Sequence, residues 1–181
     1  PWDHGPHSNV SPYAATKDLN LNVRLEMLRF FDYYLKGIEN GINTEPAITY
    51  YTVAAEEWNT ANAWPVKNTT NTNLYLSADN SLKTTSATSK ADKVTYKIDY
   101  TATSGKTSRW NSVTTLYKNG LTNYALRNEE DKKLLCFTSS ALTEPTEITG
   151  HPVVKLNLAA DATDATVFAY LEDVAPDGSV T

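Results

Sequence analysis

The sequence lacks most of the residues from which small proteins build covalently or metal-held folds. A single cysteine in 181 residues, Cys136, excludes an internal disulfide and any zinc site of the Cys-x-x-Cys type. Glycine is scarce as well: seven residues, widely dispersed, form neither a G-x-G-x-x-G nor a Walker pattern, so the usual phosphate cradles are missing. Also missing is the Gly-x-Ser-x-Gly pentapeptide that places a hydrolytic serine on a strand-to-helix elbow. No apolar run approaches the roughly 20 residues a membrane-spanning helix needs, and no membrane association is expected. Basic residues are outnumbered, 16 against 21 acidic, for a formal charge of -5. Such a chain offers no general attraction to a polyanion, so nucleic acid is set aside as a partner.

What remains is the composition of a folded protein, with 40% hydrophobic residues, 11 tyrosines and four tryptophans. Disorder of the whole chain is excluded on that balance. The length allows one medium domain or parts of two. The sequence opens on PWDHGPHSN with no start methionine, and two of its three histidines fall within the first seven residues. Sequence is therefore expected to precede Pro1. It closes on VAPDGSVT, a hairpin-like turn whose return strand is expected beyond Thr181.

Between these ends the pattern changes twice. Residues 1–17 read as a loop rich in Pro, Gly, Ser and Asn. From Leu21 to Leu35, apolar residues at 21, 25, 28, 31 and 35 trace one face of a helix, widened by Met27, Phe30 and Tyr34. Asp18 or Asn20 is suited to cap its start and Gly37 to end it, and the wide stripe predicts packing against a large surface such as a sheet. AITYYTVAAEEW, residues 47–58, then reads as one strand apolar on both faces, the last unit of an α/β sheet.

A polar, turn-forming run, KNTTNTN at 67–73, marks a domain boundary. Beyond it KVTYKIDY alternates with period two, Val94, Tyr96, Ile98 and Tyr100 sharing one face. LYLSAD, LLCFTS, VVKLNLAAD and TVFAYLEDV repeat the theme at a spacing that predicts a β-sandwich. EEDKK at 129–133 reads as a solvated face, and Cys136 within LLCFTS as a buried, inert thiol.

The residues alone leave two readings of His4: a loop-surface histidine, or the general base that an α/β-hydrolase keeps on a loop at the top of its sheet. A metal site on Asp3, His4 and His7 is disfavoured by Pro6 between the histidines and the want of a further ligand. No cofactor or metal is expected. His151, in TGHPVV, reads as a residue at the start of a strand.

In combination, PWDHG, FFDYYLKGIENGI, EEWNTANAWP, LYLSAD, LLCFTSSALTEPTEITGHPVV and FAYLEDVAPDG follow one another as in the cocaine esterase and X-Pro dipeptidyl-peptidase-like serine hydrolases, which the chain resembles over nearly its whole length. The resemblance implies an α/β-hydrolase C-terminal remnant (loop, helix and strand) over residues 1–66. It implies the N-terminal part of an all-β jelly-roll, galactose-binding-like sandwich over 67–181, with both domains truncated. It also implies that His4 is the base of a Ser-His-Asp triad, matching a Gly-Pro-Trp-x-His motif through Pro1, Trp2 and His4. The serine and aspartate would lie upstream of the histidine, outside this chain, so the piece alone is expected to be inactive. Asp164-Ala165-Thr166-Val167 departs from the Asp-Thr-Asp-Phe run of many relatives.

The partners so implied are a small-molecule ester, amide or peptide substrate and the remainder of the hydrolase domain, with a homo-oligomer left open. A second reading makes the sandwich a carbohydrate-binding module with Trp58, Trp64 and Trp110 as its platform, and a third makes it purely architectural. Composition suits a bacterial protein of either compartment, cytoplasmic or secreted.

Overall fold

The computed structural model describes residues 1–2, 9–13, 19–86, 93–105 and 125–181. The chain divides into two compact units, Pro1–Asn68 with Ser104–Ala125, and Thr69–Thr103 with Leu126–Thr181.

In the first unit, helix α1 runs Val23–Lys36. Its cap is Asn22 rather than Asp18 or Asn20: the Asn22 side-chain oxygen accepts from the Arg24 and Leu25 amides at 3.1 and 3.2 Å. Asn20 instead takes a left-handed backbone, φ 52°, before the helix begins. Gly37 ends α1 as expected, at φ 70°, with its own amide bonded to Tyr33 O and that of Ile38 to Asp32 O. The apolar stripe forms, but α1 buries none of its residues, and Leu35 is 76% exposed. Periodicity selects the face a helix would bury; the covering surface must come from elsewhere in the fold.

Residues 47–58 do not form one strand. They make an antiparallel hairpin of β1 (Ile48–Thr52) and β2 (Glu57–Ala61), paired from Ile48↔Ala61 to Thr52↔Glu57. A four-residue loop reverses the chain, closed by the Glu56 amide on Thr52 O at 2.8 Å. Ala54 and Glu56 are left-handed there, at φ 73° and 55°. Apolar content had suggested continuity across Val53–Glu56, whereas the reversal is set by backbone conformations that composition does not report.

The second unit holds β3 (Tyr75–Leu76), β4 (Ser81–Lys83) and β5 (Thr138–Ser139), ordered β3-β4-β5. The β3–β4 pairing is antiparallel and β4–β5 parallel. LYLSAD and LLCFTS thus contribute short strands at their expected places. KVTYKIDY, VVKLNLAAD and most of TVFAYLEDV lie outside any ladder, and the shared face of Val94, Tyr96, Ile98 and Tyr100 is exposed. Alternation sorts residues between two faces without specifying a neighbouring edge, and a strand exists only with its pairing partner.

The final turn does close within the chain, contrary to the expectation of a return strand beyond it. Val174 bridges Val180, and Asp173 and Thr181 exchange both backbone bonds at 2.9 Å. A helical turn α2, Asn128–Asp131, sits beside this hairpin. The Arg127 amide bonds Val180 O at 2.9 Å, and the Asn128 side chain bonds Gly178 O and the Val180 amide. EEDKK is only partly the solvated face expected: Glu129 and Lys132 are exposed, while Asp131 is 15% exposed against Arg127.

Candidate functional site

Three consecutive residues, Asn9, Val10 and Ser11, are 6, 4 and 1% exposed; among the described residues only Ser77 joins them as buried. Two of the three are polar, and a buried polar group must be bonded or it destabilises the fold. The bonds are present. The Ser11 amide donates to Asn9 Oδ1 at 2.8 Å, the Ser11 hydroxyl donates to Glu56 Oε1 at 2.6 Å, and the Tyr13 amide donates to Ser11 Oγ at 3.3 Å.

Glu56 receives donors from both sides. From its own hairpin come the Ala54 amide on Oε1 at 3.1 Å and the Tyr51 hydroxyl on Oε2 at 3.0 Å. From the other segment come Ser11 and the Asn9 side chain. Burial pushes the Glu56 carboxyl up, but the bonds from Ser11, Ala54, Tyr51 and Asn9 outweigh it and hold the group below its ordinary 4.5. The carboxylate is therefore ionised at neutral pH. Tyr51 is shifted the other way, raised by burial and then by its bond to Glu56, so it stays a donor.

The same hairpin reaches the start of the chain. Trp2 pairs with Asn9 in an antiparallel bridge, and the Val10 amide bonds Pro1 O at 2.7 Å. The Trp2 ring lies 6.1 Å from that of Trp58 on β2, which packs edge-to-face on Tyr51 at 5.0 Å and donates its indole N–H to Leu19 O at 2.7 Å.

His4, with Asp3 and His7, lies outside the described residues; both flanks of that segment, Trp2 and Asn9, are described and held together. Of the suggested aromatic platform, Trp58 is engaged by Tyr51, Trp2 and Leu19, Trp64 packs on Tyr50 at 6.0 Å, and Trp110 lies outside the described residues. His151 is exposed. Sequence reading missed Ser11 and Glu56; the one available signal was a carboxylate pair, Glu56-Glu57, interrupting an apolar run.

In the second unit, the Cys136 thiol lies 3.4 Å from Asp131 O. Burial, then the charges of Asp131 and Glu172, push it above its ordinary value, the opposite of an activated nucleophile. No group of three His, Cys, Asp or Glu residues among the described residues is placed to hold a metal ion, and no described helix is long and apolar enough to cross a membrane.

These features belong to a chain of a recognised class of hydrolase-associated domain. The description "X-Pro dipeptidyl-peptidase C-terminal non-catalytic domain" matches residues 40–181. The chain belongs to that family, within the cocaine esterase and X-Pro dipeptidyl-peptidase-like proteins, whose C-terminal domain is a β-sandwich. It is 38% identical over 180 residues to a protein named "putative serine esterase" from Mycobacterium bovis, covering 99% of this chain and 28% of the relative. The same figures hold for the protein so named in Mycobacterium tuberculosis. Against a Rhodococcus protein named cocaine esterase the identity is 28% over 200 residues, 98% of this chain and 33% of that one. The chain thus spans about a third or less of the curated relatives it matches. No solved structure matches it.

Proposed function

We propose that this chain is part of a serine hydrolase that cleaves ester or amide bonds, X-Pro peptides included, with His4 as the general base. The observation that carries the reading is likeness to proteins named esterases across 99% of the chain; His4 is put forward as the base on the resemblance of Pro1, Trp2 and His4 to a family histidine motif. A serine elsewhere in the polypeptide attacks the carbonyl while His4 takes its proton, and His4 then protonates the leaving alcohol or amine. An aspartate, also elsewhere, orients His4 through its second ring nitrogen.

On this reading residues 1–66 are the tail of the α/β-hydrolase domain and 67–181 the opening of a jelly roll. The family match begins earlier, at residue 40, and so takes in the β1–β2 hairpin. The substrate is a small ester, amide or peptide, and the physical partner is the rest of the hydrolase domain.

Full-length protein assayed on 4-nitrophenyl butyrate, with fluorophosphonate labelling read by intact mass, tests the reading. Turnover and a label are expected, both absent from the 181-residue chain alone. His4→Ala should lower kcat by a factor on the order of 10⁶, as triad members act as a unit. Undiminished turnover in His4→Ala refutes the assignment.

A second reading, that residues 40–181 serve an architectural role, is favoured by the non-catalytic description of the matching domain. The two are compatible: the base and the scaffold occupy different parts of the chain.

A further inference from the structure

We infer that the apolar face of α1 is a docking surface whose occupant is a further, apolar part of the same polypeptide, outside this chain. The inference rests on the reading of the chain as part of a longer hydrolase.

At 3.6 residues per turn, Phe30, Tyr34, Met27, Phe31, Leu35 and Leu28 follow one another around α1 over an arc of about 160°. Each is 45 to 76% exposed. Arg24, in the first turn, is the one charged residue within that arc. Large apolar side chains gathered in one patch mark an interaction site, whereas ordinary surface carries them singly. An arc this wide also exceeds the narrow seam of a two-helix contact, so it calls for a broad partner such as a sheet face.

The opposite face of α1 is already engaged. Glu26 pairs with Arg29 at 2.7 Å and Asp32 with Lys36 at 2.6 Å. Arg29 also pairs with Glu45, and the Asn40 side chain donates to Arg29 O at 2.7 Å. The segment that follows the helix therefore folds back onto its polar side and holds it there. Rolling the helix to hide its aromatic side would break these bonds. On the open face the rings contact one another, Phe30 lying 5.6 Å from Phe31 and 4.6 Å from Tyr34.

Two observations identify the occupant. The 38%-identical relatives align with 99% of this chain over only 28% of their own length, so the counterpart of α1 sits within one polypeptide that lies mostly outside the match. A surface on the same polypeptide is held at high effective concentration and needs no separate encounter. Charge argues against a lipid surface. Arg24, Arg29 and Lys36 are offset by Glu26 and Asp32 in a chain of net charge -5, which is not the strongly basic polar face that anionic headgroups attract.

Met27 is the chain's single methionine and stands 54% exposed in the open face, which makes it the reporter. The test is hydroxyl-radical footprinting of the unsubstituted full-length protein, read by peptide mass. Met27 and Tyr34 should oxidise at least about tenfold more slowly than in the urea-unfolded protein, whereas a half-exposed side chain would be slowed only about twofold. The protection should persist through about a hundredfold dilution, since an intramolecular contact does not follow mass action. Oxidation of Met27 within about threefold of its unfolded rate overturns the docking surface. Protection that disappears on dilution also overturns it, assigning the face to a second copy of the chain. Turnover of 4-nitrophenyl butyrate in the same sample separates this inference from the hydrolase reading. Turnover with Met27 unprotected removes the docking surface alone; Met27 protected without turnover removes the hydrolase assignment alone.

Discussion

Replacing Arg127 with methionine removes one charge from a cluster in the second unit and leaves its partners in place. Arg127 Nε lies 3.2 Å from Glu172 Oε1 and 3.7 Å from Asp131 Oδ1, the latter too long for a hydrogen bond but within ion-pair range. The three side chains are 14, 21 and 15% exposed. Nη1 donates to Thr103 O at 3.2 Å, and the guanidinium carbon stands 4.6 Å from the centre of the Tyr170 ring. Methionine keeps most of the volume, so the cost is electrostatic rather than a cavity. Loss of the ring contact accounts for about 0.5–1 kcal/mol and the bond to Thr103 for about 1 kcal/mol.

The larger share is the pair of carboxylates left facing each other. Removing one partner of a fully buried pair costs about 3–5 kcal/mol, and residual exposure reduces that here. A total on the order of 3 kcal/mol corresponds to about a hundredfold in the local opening constant. Hydrogen exchange reads it directly at the amides of Arg127, Asp173, Ala175 and Thr181, all bonded where α2 meets the final hairpin. Their protection should fall about a hundredfold while the β1–β2 amides are unchanged. Arg127→Lys, which keeps the charge but not the planar fork, should fall between. Loss of less than about threefold in the methionine variant, or equal loss in the β1–β2 hairpin, refutes this account of the cluster.

Three further outcomes follow from other parts of the structure. Trp58→Phe removes the indole donor to Leu19 O and should cost about 1 kcal/mol or somewhat more, measured as a lower urea midpoint. Glu56 and Asp79 both have carboxyls held below their ordinary values, Asp79 at about 2 through bonds to Lys83 and Ser81. Their contributions are present above 4.5 and 3.8 and are lost as pH falls through the folded values. In an acid titration followed by tryptophan fluorescence the Trp2–Trp58 contact, in the same unit as Glu56, should hold at pH 5 and give way only below 4.5. Cys136, raised by burial and by neighbouring carboxylates, should alkylate with iodoacetamide more slowly at pH 8 than an unstructured cysteine, and equal rates would show that the thiol is freely ionised.

The sequence was most informative where structure is local. The three- and four-residue spacing in 21–35 placed α1 to within two residues at its start, and Gly37 ended it where left-handed backbone is cheapest for glycine. Asn20, Asn22 and Asp18 are all competent caps by composition. Asn22 has its oxygen over the first free amides while Asn20 is left-handed, and that depends on backbone angles just before the helix. The β1–β2 turn was not legible at all, because two left-handed non-glycine residues carry no compositional mark.

The candidate site divides in the same way. The resemblance of Pro1, Trp2 and His4 to a family histidine motif, on which the proposal of His4 rests, and the family order of segments could be read from one chain, since a resemblance needs only identity and sequence. Ser11 meeting Glu56 across 45 residues, and Arg127 meeting Glu172 across 45 more, could not. By itself the sequence determined periodicity, turn-formers, net charge and membership of a family, all properties of residues and their near neighbours. The tertiary structure alone decided which polar side chains are buried and which carboxylate answers which donor, because burial and long-range pairing are properties of the closed chain.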